Sequence, residues 1–118
     1  MLKIRLGAQS ILLPGDIERP MEYYLMDYHY GQLASTVIVA PHHGSNSSSM
    51  ATFIKAVDPE YVLYAAGFEN RYHHPAMKVQ RRYYNQGILS YNTAYNGAIW
   101  FDFYHNGEMK VATWVKSR

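Results

Sequence analysis

The sequence predicts an α/β fold in which a mixed, partly parallel sheet is flanked by helices and continued by the antiparallel strands of a C-terminal β-hairpin. Two short apolar runs, TVIVA at 36–40 and YVLYAA at 61–66, are typical of strands that are covered on both faces. The segment between them carries apolar residues at helical spacing, which predicts a β-α-β unit. Residues 98–115 alternate apolar and polar side chains around Asn106 and Gly107, a strong hairpin signal.

The amino-terminal part predicts two strands and a helix. MLKIRLG alternates apolar and charged residues, and QSILLPGD follows a Gly-Ala step that can turn the chain. Residues 16–31 carry acidic side chains early and Gly31 at the expected carboxyl end, which favours a helix. The apolar positions at helical spacing within it are Ile17, Met21, Tyr24, Leu25 and Tyr28.

Two further helices and a strand are predicted in the rest of the chain. The helix between the two apolar runs follows a serine-rich cap region, and its apolar residues are Met50, Phe53, Ile54 and Val57. In residues 74–87, Pro75 is expected at the first helical position, Val79 and Tyr83 on the inner side, and Gly87 at the end. The apolar piece ILSY then predicts another strand.

Composition limits the kind of protein. A chain of 118 residues is long enough for one domain, and 48% hydrophobic with 17% charged residues is typical of globular proteins. The absence of cysteine excludes disulfide frameworks, thiolate zinc sites and cysteine nucleophiles. A formal charge of +2 permits contact with a polyanion without requiring it. No apolar run reaches the ~20 residues of a membrane span and no signal peptide is visible, so the chain itself is expected to be soluble.

Polar residues follow three of the predicted strands. Asp16 comes after the second strand, His42 and His43 follow TVIVA, and His73 and His74 come after YVLYAA. Because the carboxyl ends of such strands share one edge of the sheet, these side chains are expected to converge. A carboxylate with two histidine pairs suits a divalent metal ion, so the three loops predict a metal site.

The residues after His43 extend this prediction to an anion. Gly44 is expected to let the backbone pass close to the metal ion. The hydroxyl and backbone N–H groups of residues 45–49, at the start of a predicted helix, are expected to hold a group such as phosphate.

Each of these residues also has a plain structural interpretation. Asp16 after Pro-Gly is a common turn residue or helix cap. Histidines at a strand end are often simply hydrogen-bonded, and His74 is placed to cap the helix that follows it. The twelve tyrosines either cover a half-buried sheet or stack nucleobases. His29 and His105 receive no role.

The segments LLPGDIE, VIVAPHHGSNSSS and NRYHHPAMKV, followed by NTAYNGAIWFDF, resemble the metallo-β-lactamase-like domain of ComEC-type DNA-internalisation competence proteins. The resemblance covers nearly the whole chain and implies an αββα sandwich. The His-x-Asp-x-Asp-His stretch that precedes the GD strand in this family does not occur in the sequence. Residues 1–118 are therefore expected to form a single, partial domain, the C-terminal half of the sandwich.

The resemblance implies a role for each residue of the site. Asp16 corresponds to the aspartate that bridges two metal ions, and His43 to a later metal ligand. His42 is expected either to support the metal ligands or to contact the substrate phosphate. His74 corresponds to a histidine of the family's Gly-His-Pro-His stretch, although Ala76 stands where the family has a further histidine, and both His42 and His74 are expected to be catalytic. Substrate contacts are expected from Ser45, Asn46, Ser47 and His73.

The implied function is metal-dependent cleavage of DNA phosphodiesters in the non-transported strand, with two zinc or manganese ions in the complete domain. The implied partners are single- or double-stranded DNA, the missing amino-terminal half and a membrane channel domain. This domain is expected on the extracytoplasmic side of the membrane. The chain alone is expected to be inactive and to self-associate, because half of a sandwich exposes an apolar sheet face.

Two other functions stay open. A non-catalytic nucleic-acid-binding or assembly module would depend on the tyrosines and on Arg81 and Arg82 rather than on the histidines. A stand-alone hydrolase of small phosphoesters would use the same site on another substrate, because the fold does not select the substrate.

Overall fold

A computed structural model describes residues 1–67 and 73–115 and contains a five-stranded mixed sheet. The strands are β1 Leu2–Leu6, β2 Gln9–Leu13, β3 Val37–Val39, β4 Tyr61–Tyr64 and β5 Leu89–Asn92. They lie side by side in that order, with β1 antiparallel to β2 and the remaining neighbours parallel. The predicted α/β class and mixed sheet are therefore confirmed.

All three predicted helices are present, together with a short fourth one. They are α1 Arg19–Tyr28, α2 Ala51–Val57, α3 Met77–Asn85 and α4 Thr93–Asn96. The fourth, which the sequence did not predict, is capped by the Asn92 side chain, whose oxygen accepts a hydrogen bond from the Ala94 N–H. Among the described residues, no helix is long and apolar enough to cross a membrane.

The hydrophobic core lies between one face of the sheet and the helices. Alternate strand residues such as Leu12, Ile38 and Val62 have no exposed surface and point to this side. The helices meet them with buried apolar side chains, namely Leu25 of α1, Phe53 and Ile54 of α2, and Val79 and Tyr83 of α3. The inward positions predicted for α2 and α3 are thus confirmed.

The other face of the sheet is partly covered by a hairpin of β6 Ile99–Phe103 and β7 Met109–Thr113. The Phe101 ring lies 6.0 Å from that of Tyr61 and 6.1 Å from that of Tyr91, and Gln9 Nε2 donates to the Gly107 carbonyl at 2.7 Å. The hairpin is confirmed, but within the described ranges it forms a separate two-stranded sheet instead of continuing the main one.

The hairpin covers only part of this face. Apolar side chains of β1 to β4 stay at least partly exposed beside it, and we call this part the open sheet face. Leu2 and Ile4 are 57% and 54% exposed, and Leu13, Val39 and Leu63 are half-buried. The strand registers place these five side chains on one side of the sheet.

The apolar pattern of α1 is misleading. Met21, Tyr24 and Tyr28 are exposed, whereas Glu22, which sequence reasoning left aside, has no exposed surface. The helix also ends at Tyr28, before Gly31, and a short 3-10 turn at Tyr30–Gln32 follows. The helix therefore turns a carboxylate rather than a tyrosine stripe towards the interior.

The start of α3 also differs from the prediction. Its first residue is Met77 and its N-cap is Ala76, so Pro75 precedes the helix and His74 does not cap it. The His74–Pro75 peptide bond is cis, which places Pro75 in the turn that leads into the helix.

Candidate functional site

Three loops meet at the carboxyl edge of the parallel strands, as the sequence predicts. Asp16 follows β2, His42 and His43 follow β3, and the loop after β4 returns to the same edge at His73 and His74. Residues 68–72 of that last loop, with the Asn-Arg-Tyr of the NRYHHP motif, lie outside the described residues.

Backbone hydrogen bonds join the loops to one another. The His42 N–H donates to the Gly15 carbonyl at 2.9 Å, and the Ala76 N–H donates to the Gly44 carbonyl at 2.9 Å. The middle loop is thus fixed to both of its neighbours.

Asp16 and His43 lie side by side. His43 Nε2 is 3.7 Å from Asp16 Oδ1, and the two side chains are 57% and 74% exposed. His43 Nδ1 lies 2.8 Å from the Ala65 carbonyl, which can only accept, so Nδ1 carries the hydrogen. The neutral ring then keeps the lone pair of Nε2, the nitrogen next to Asp16, for a metal ion or a proton.

This pair fits part of a metal site. A carboxylate and an imidazole whose second nitrogen bonds a backbone carbonyl are usual ligands of a zinc-type ion. The described residues contain no group of three or more potential ligands. Asp16 and His43 border a shallow cavity of about 220 Å³ whose other walls include Leu13, Val39 and Ala65. Any further ligand would therefore approach over the open sheet face.

His42 and His74 form a second pair of side chains, next to the Asp16–His43 pair. Their ring centroids are 6.0 Å apart, and His42 Nδ1 lies 3.3 Å from the Ser47 hydroxyl. Burial lowers the pKa of His74, and the neighbouring His42 and His43 lower it further. At neutral pH His74 is therefore mainly the neutral imidazole, which can accept a proton or a hydrogen bond.

The histidine loops have unusual backbone conformations. His42, His43 and His73 have φ values of 51°, 56° and 55°. These lie in the left-handed region, which residues other than glycine adopt infrequently. Such a conformation costs on the order of 1–3 kcal/mol per residue and persists only where the surroundings impose it. The hydrogen bonds between the loops supply that constraint here. His73 itself is exposed.

Gly44 lies in close contact with the neighbouring histidine loop. A Cβ at this position would lie 2.6 Å from Pro75 Cβ and 3.2 Å from Tyr64 Cδ1, and φ is +86°. Glycine is therefore required because the two histidine loops pack directly against each other.

Residues 45–49, which we call the serine loop, form most of their hydrogen bonds with other groups of the protein. The Ser45 and Ser47 hydroxyls are 2.9 Å apart, and the N–H groups of Ser45 and Ser48 donate to backbone carbonyls. The Ser47 N–H donates to the Ser45 hydroxyl. Most of the N–H groups that were predicted to hold an anion therefore already have acceptors within the protein.

Glu22 occupies the place predicted for the anion. Its carboxylate accepts from the Ser49 N–H at 2.6 Å and from the Met50 N–H at 2.9 Å, so it caps α2 from a neighbouring helix. Burial raises the pKa of Glu22, while these two N–H groups and the charges of Arg19 and Arg82 act in the opposite direction.

Two arginines complete the support of the serine loop. Arg82 donates to the carbonyls of Ser48 and Ser49 and, at 3.1 Å, to Asn46 Oδ1. Arg19 donates to the Asn46 carbonyl at 2.9 Å. Sequence reasoning missed Glu22 and Arg19 and gave Arg82 only a role in nucleic-acid contact.

Comparison with known proteins places the chain in a family. No protein-family model matches it. Competence protein ComA of Neisseria gonorrhoeae is 37% identical over 107 residues, 91% of this chain and 16% of the relative. The uncharacterized protein YcaI of Escherichia coli is 36% identical over 107 residues, 91% of this chain and 14% of the relative. ComE operon protein 3 of Bacillus subtilis is 32% identical over 103 residues, 87% of this chain and 13% of the relative.

The chain thus spans only 13% to 16% of the length of the curated relatives that it matches. The match lies in their C-terminal part, and identity extends across almost all of this chain. The chain belongs to the ComEC-type competence proteins, of which it corresponds to a C-terminal segment.

Proposed function

We propose that the chain is the C-terminal half of a metallo-β-lactamase-like phosphodiesterase domain that acts on DNA during its uptake. The observation that carries this proposal is the Asp16–His43 pair, 3.7 Å apart, with the His43 ring fixed by Ala65. The name of the Neisseria relative, a competence protein, supports DNA as the substrate. In the whole protein this half would lie beside a membrane channel domain, on the extracytoplasmic side.

The proposal requires a second polypeptide segment. A catalytic zinc site normally has three protein ligands, whereas Asp16 and His43 supply two. Both residues border the open sheet face, so a segment packed there would bring the remaining ligands to them. We assign that role to the preceding half of the same domain, and we expect the 118-residue chain alone to be inactive.

The residues then divide the chemistry between them. Asp16 and His43 would help to hold the zinc or manganese ions, which would supply Lewis-acid activation of water and phosphate. Neutral His74 would donate its ring N–H to a phosphate oxygen of the substrate. His42, held by Ser47, would protonate the leaving oxygen, and Ser45, Asn46 and His73 would contact the substrate near it.

The test is DNA cleavage by a protein extended at its amino end to include the corresponding preceding segment of the relatives. We expect manganese- or zinc-dependent cleavage, and Asp16→Ala should reduce its rate at least about 100-fold. Loss of a residue that only hydrogen-bonds to a metal ligand already costs up to about that factor. Asp27→Ala, an exposed aspartate on α1, is the matched control and should cleave normally. Equal cleavage by Asp16→Ala would refute the proposal, and turnover of a small phosphodiester but not of DNA would replace DNA with a small phosphoester as substrate.

One observation favours a second candidate, a non-catalytic nucleic-acid-binding module. The α3 sequence MKVQRRYYN carries three basic and no acidic residues, and Arg82 lies beside the serine loop. Such a surface suits the phosphate backbone of a nucleic acid. Salt-sensitive DNA binding that EDTA does not change, without cleavage by the extended protein, would favour this candidate.

A further inference from the structure

A groove lies next to the His42–His74 pair, outside the Asp16–His43 site. It runs between the amino end of α3 and the junction of β5 with α4, and its volume is about 660 Å³. This is within the range of small-molecule sites, roughly 300–1,000 Å³. Its described walls include His74, Pro75, Met77, Gln80, Asn92 and Tyr95.

The walls combine an aromatic ring with side-chain amides. Tyr95 and Met77 are 69% and 66% exposed and offer apolar surface. Asn92 Oδ1 accepts from the Ala94 N–H, and Gln80 Nε2 donates to the Pro75 carbonyl, so one backbone contact orients each amide. The remaining Asn92 NH₂ is a donor and the remaining Gln80 oxygen is an acceptor.

The described walls indicate which part of a ligand would bind. They include no Lys, Arg, Asp or Glu, and their amides and aromatic ring offer an uncharged group hydrogen bonds and stacking. A planar group with both donors and acceptors on its edge matches an aromatic face beside two amides. A nucleobase has these properties, and bases stack on aromatic side chains whatever their sequence.

The position of the groove connects it with the proposed reaction. His74 belongs to its wall, and the ring centroid of His74 is 6.0 Å from that of His42. We propose that the groove binds the nucleobase of a nucleotide adjoining the phosphate held at His42 and His74, with Tyr95 as the stacking residue. This inference rests on the proposed action on DNA.

The test compares oligonucleotides with and without bases, in EDTA so that no cleavage occurs. Fluorescence anisotropy would measure binding of the 118-residue chain to a short single-stranded oligodeoxynucleotide and to the same strand with abasic sites. We expect Tyr95→Ala to weaken binding of the normal strand about tenfold, the order expected for one lost base stack, and to leave the abasic strand unaffected. Tyr95→Phe should bind like the wild type, as should Tyr28→Ala, which removes a 72% exposed tyrosine of α1 outside the groove.

A second measurement needs no variant. In NMR spectra, thymidine 5′-monophosphate should shift the side-chain amide signals of Asn92 and Gln80, whereas deoxyribose 5-phosphate should not. Equal affinity of Tyr95→Ala and wild type for the normal strand, or unmoved amide signals at millimolar nucleotide, would overturn the base-binding groove. Failure of the extended protein to cleave DNA would refute the hydrolase but not the base preference, so the two outcomes are distinguishable.

Discussion

Glu22 shows how one buried carboxylate can organise a neighbouring loop. It is fully buried and accepts hydrogen bonds from the first N–H groups around α2, 27 and 28 residues further along the chain. The sequence predicted the helix that carries Glu22, but an apolar-spacing argument cannot reveal that a charged position faces inward. That depends on N–H donors supplied by a distant segment.

Replacing Glu22 by Gln should destabilise the fold by about 1–3 kcal/mol, because a buried N–H loses its acceptor. The pH dependence should change as well. A raised pKa means that the folded chain holds the proton more tightly, so this group's contribution to stability falls as pH rises from about 4.3 through the raised value. Urea unfolding across pH 4–8 should therefore show a smaller decline over that window in Glu22→Gln than in wild type.

Glu108→Gln, on the exposed hairpin, is the matched control and should leave both the stability and its pH profile unchanged. An unchanged free energy of unfolding in Glu22→Gln would contradict the capping role.

The position of the candidate site in the fold was easier to predict than the role of Glu22. Asp16, His42 and His43 follow strands whose apolar runs are clear in the sequence, and parallel strands bring their carboxyl ends together. The left-handed backbone of both histidines and the tautomer of His43 depend on contacts with Gly15 and Ala65, which no local pattern contains.

The elements were predicted more fully than their packing. Period-two alternation identified β6 and β7, but the expectation that these strands continue the main sheet is wrong. The rings of Phe101, Tyr61 and Tyr91 place the hairpin across the main sheet rather than at its edge. Tyr61 and Tyr91 thus belong to a covered sheet face, which is one of the two roles predicted for the twelve tyrosines.

At the scale of structural elements, the contact between the two histidine loops leads to a prediction about Gly44. Gly44→Ala should destabilise the fold by about 3 kcal/mol, because the methyl group meets Pro75 at 2.6 Å and φ is +86°. Gly107→Ala has a similar φ of +89° but open space around it, so it should cost only about 1 kcal/mol. Thermal or urea unfolding would measure both, and equal losses would show that the loops can separate without cost.

For the whole molecule, the open sheet face is the main apolar surface that the described residues leave uncovered. Exposed Leu2 and Ile4 on an edge strand form an apolar surface of the kind that drives association. The sequence led to this expectation only through the family resemblance, because no single strand reveals whether a second layer packs on that face.

The isolated chain should therefore self-associate through this face. Sedimentation should show a dimer or larger species that Ile4→Ser shifts towards the monomer, since it removes apolar contact area. Tyr28→Ser, at a 72% exposed position on the helical side, should leave the distribution unchanged. A stable wild-type monomer at high concentration would count against the half-domain interpretation.

The central claim is that Asp16 and His43 bind the same metal ion. Titration of the 118-residue chain with Mn²⁺, followed by paramagnetic broadening of its NMR signals, tests it directly. The account predicts that broadening begins at Asp16 and His43 and is lost in Asp16→Ala. Broadening centred on His29 or His105, or unchanged in Asp16→Ala, would contradict it.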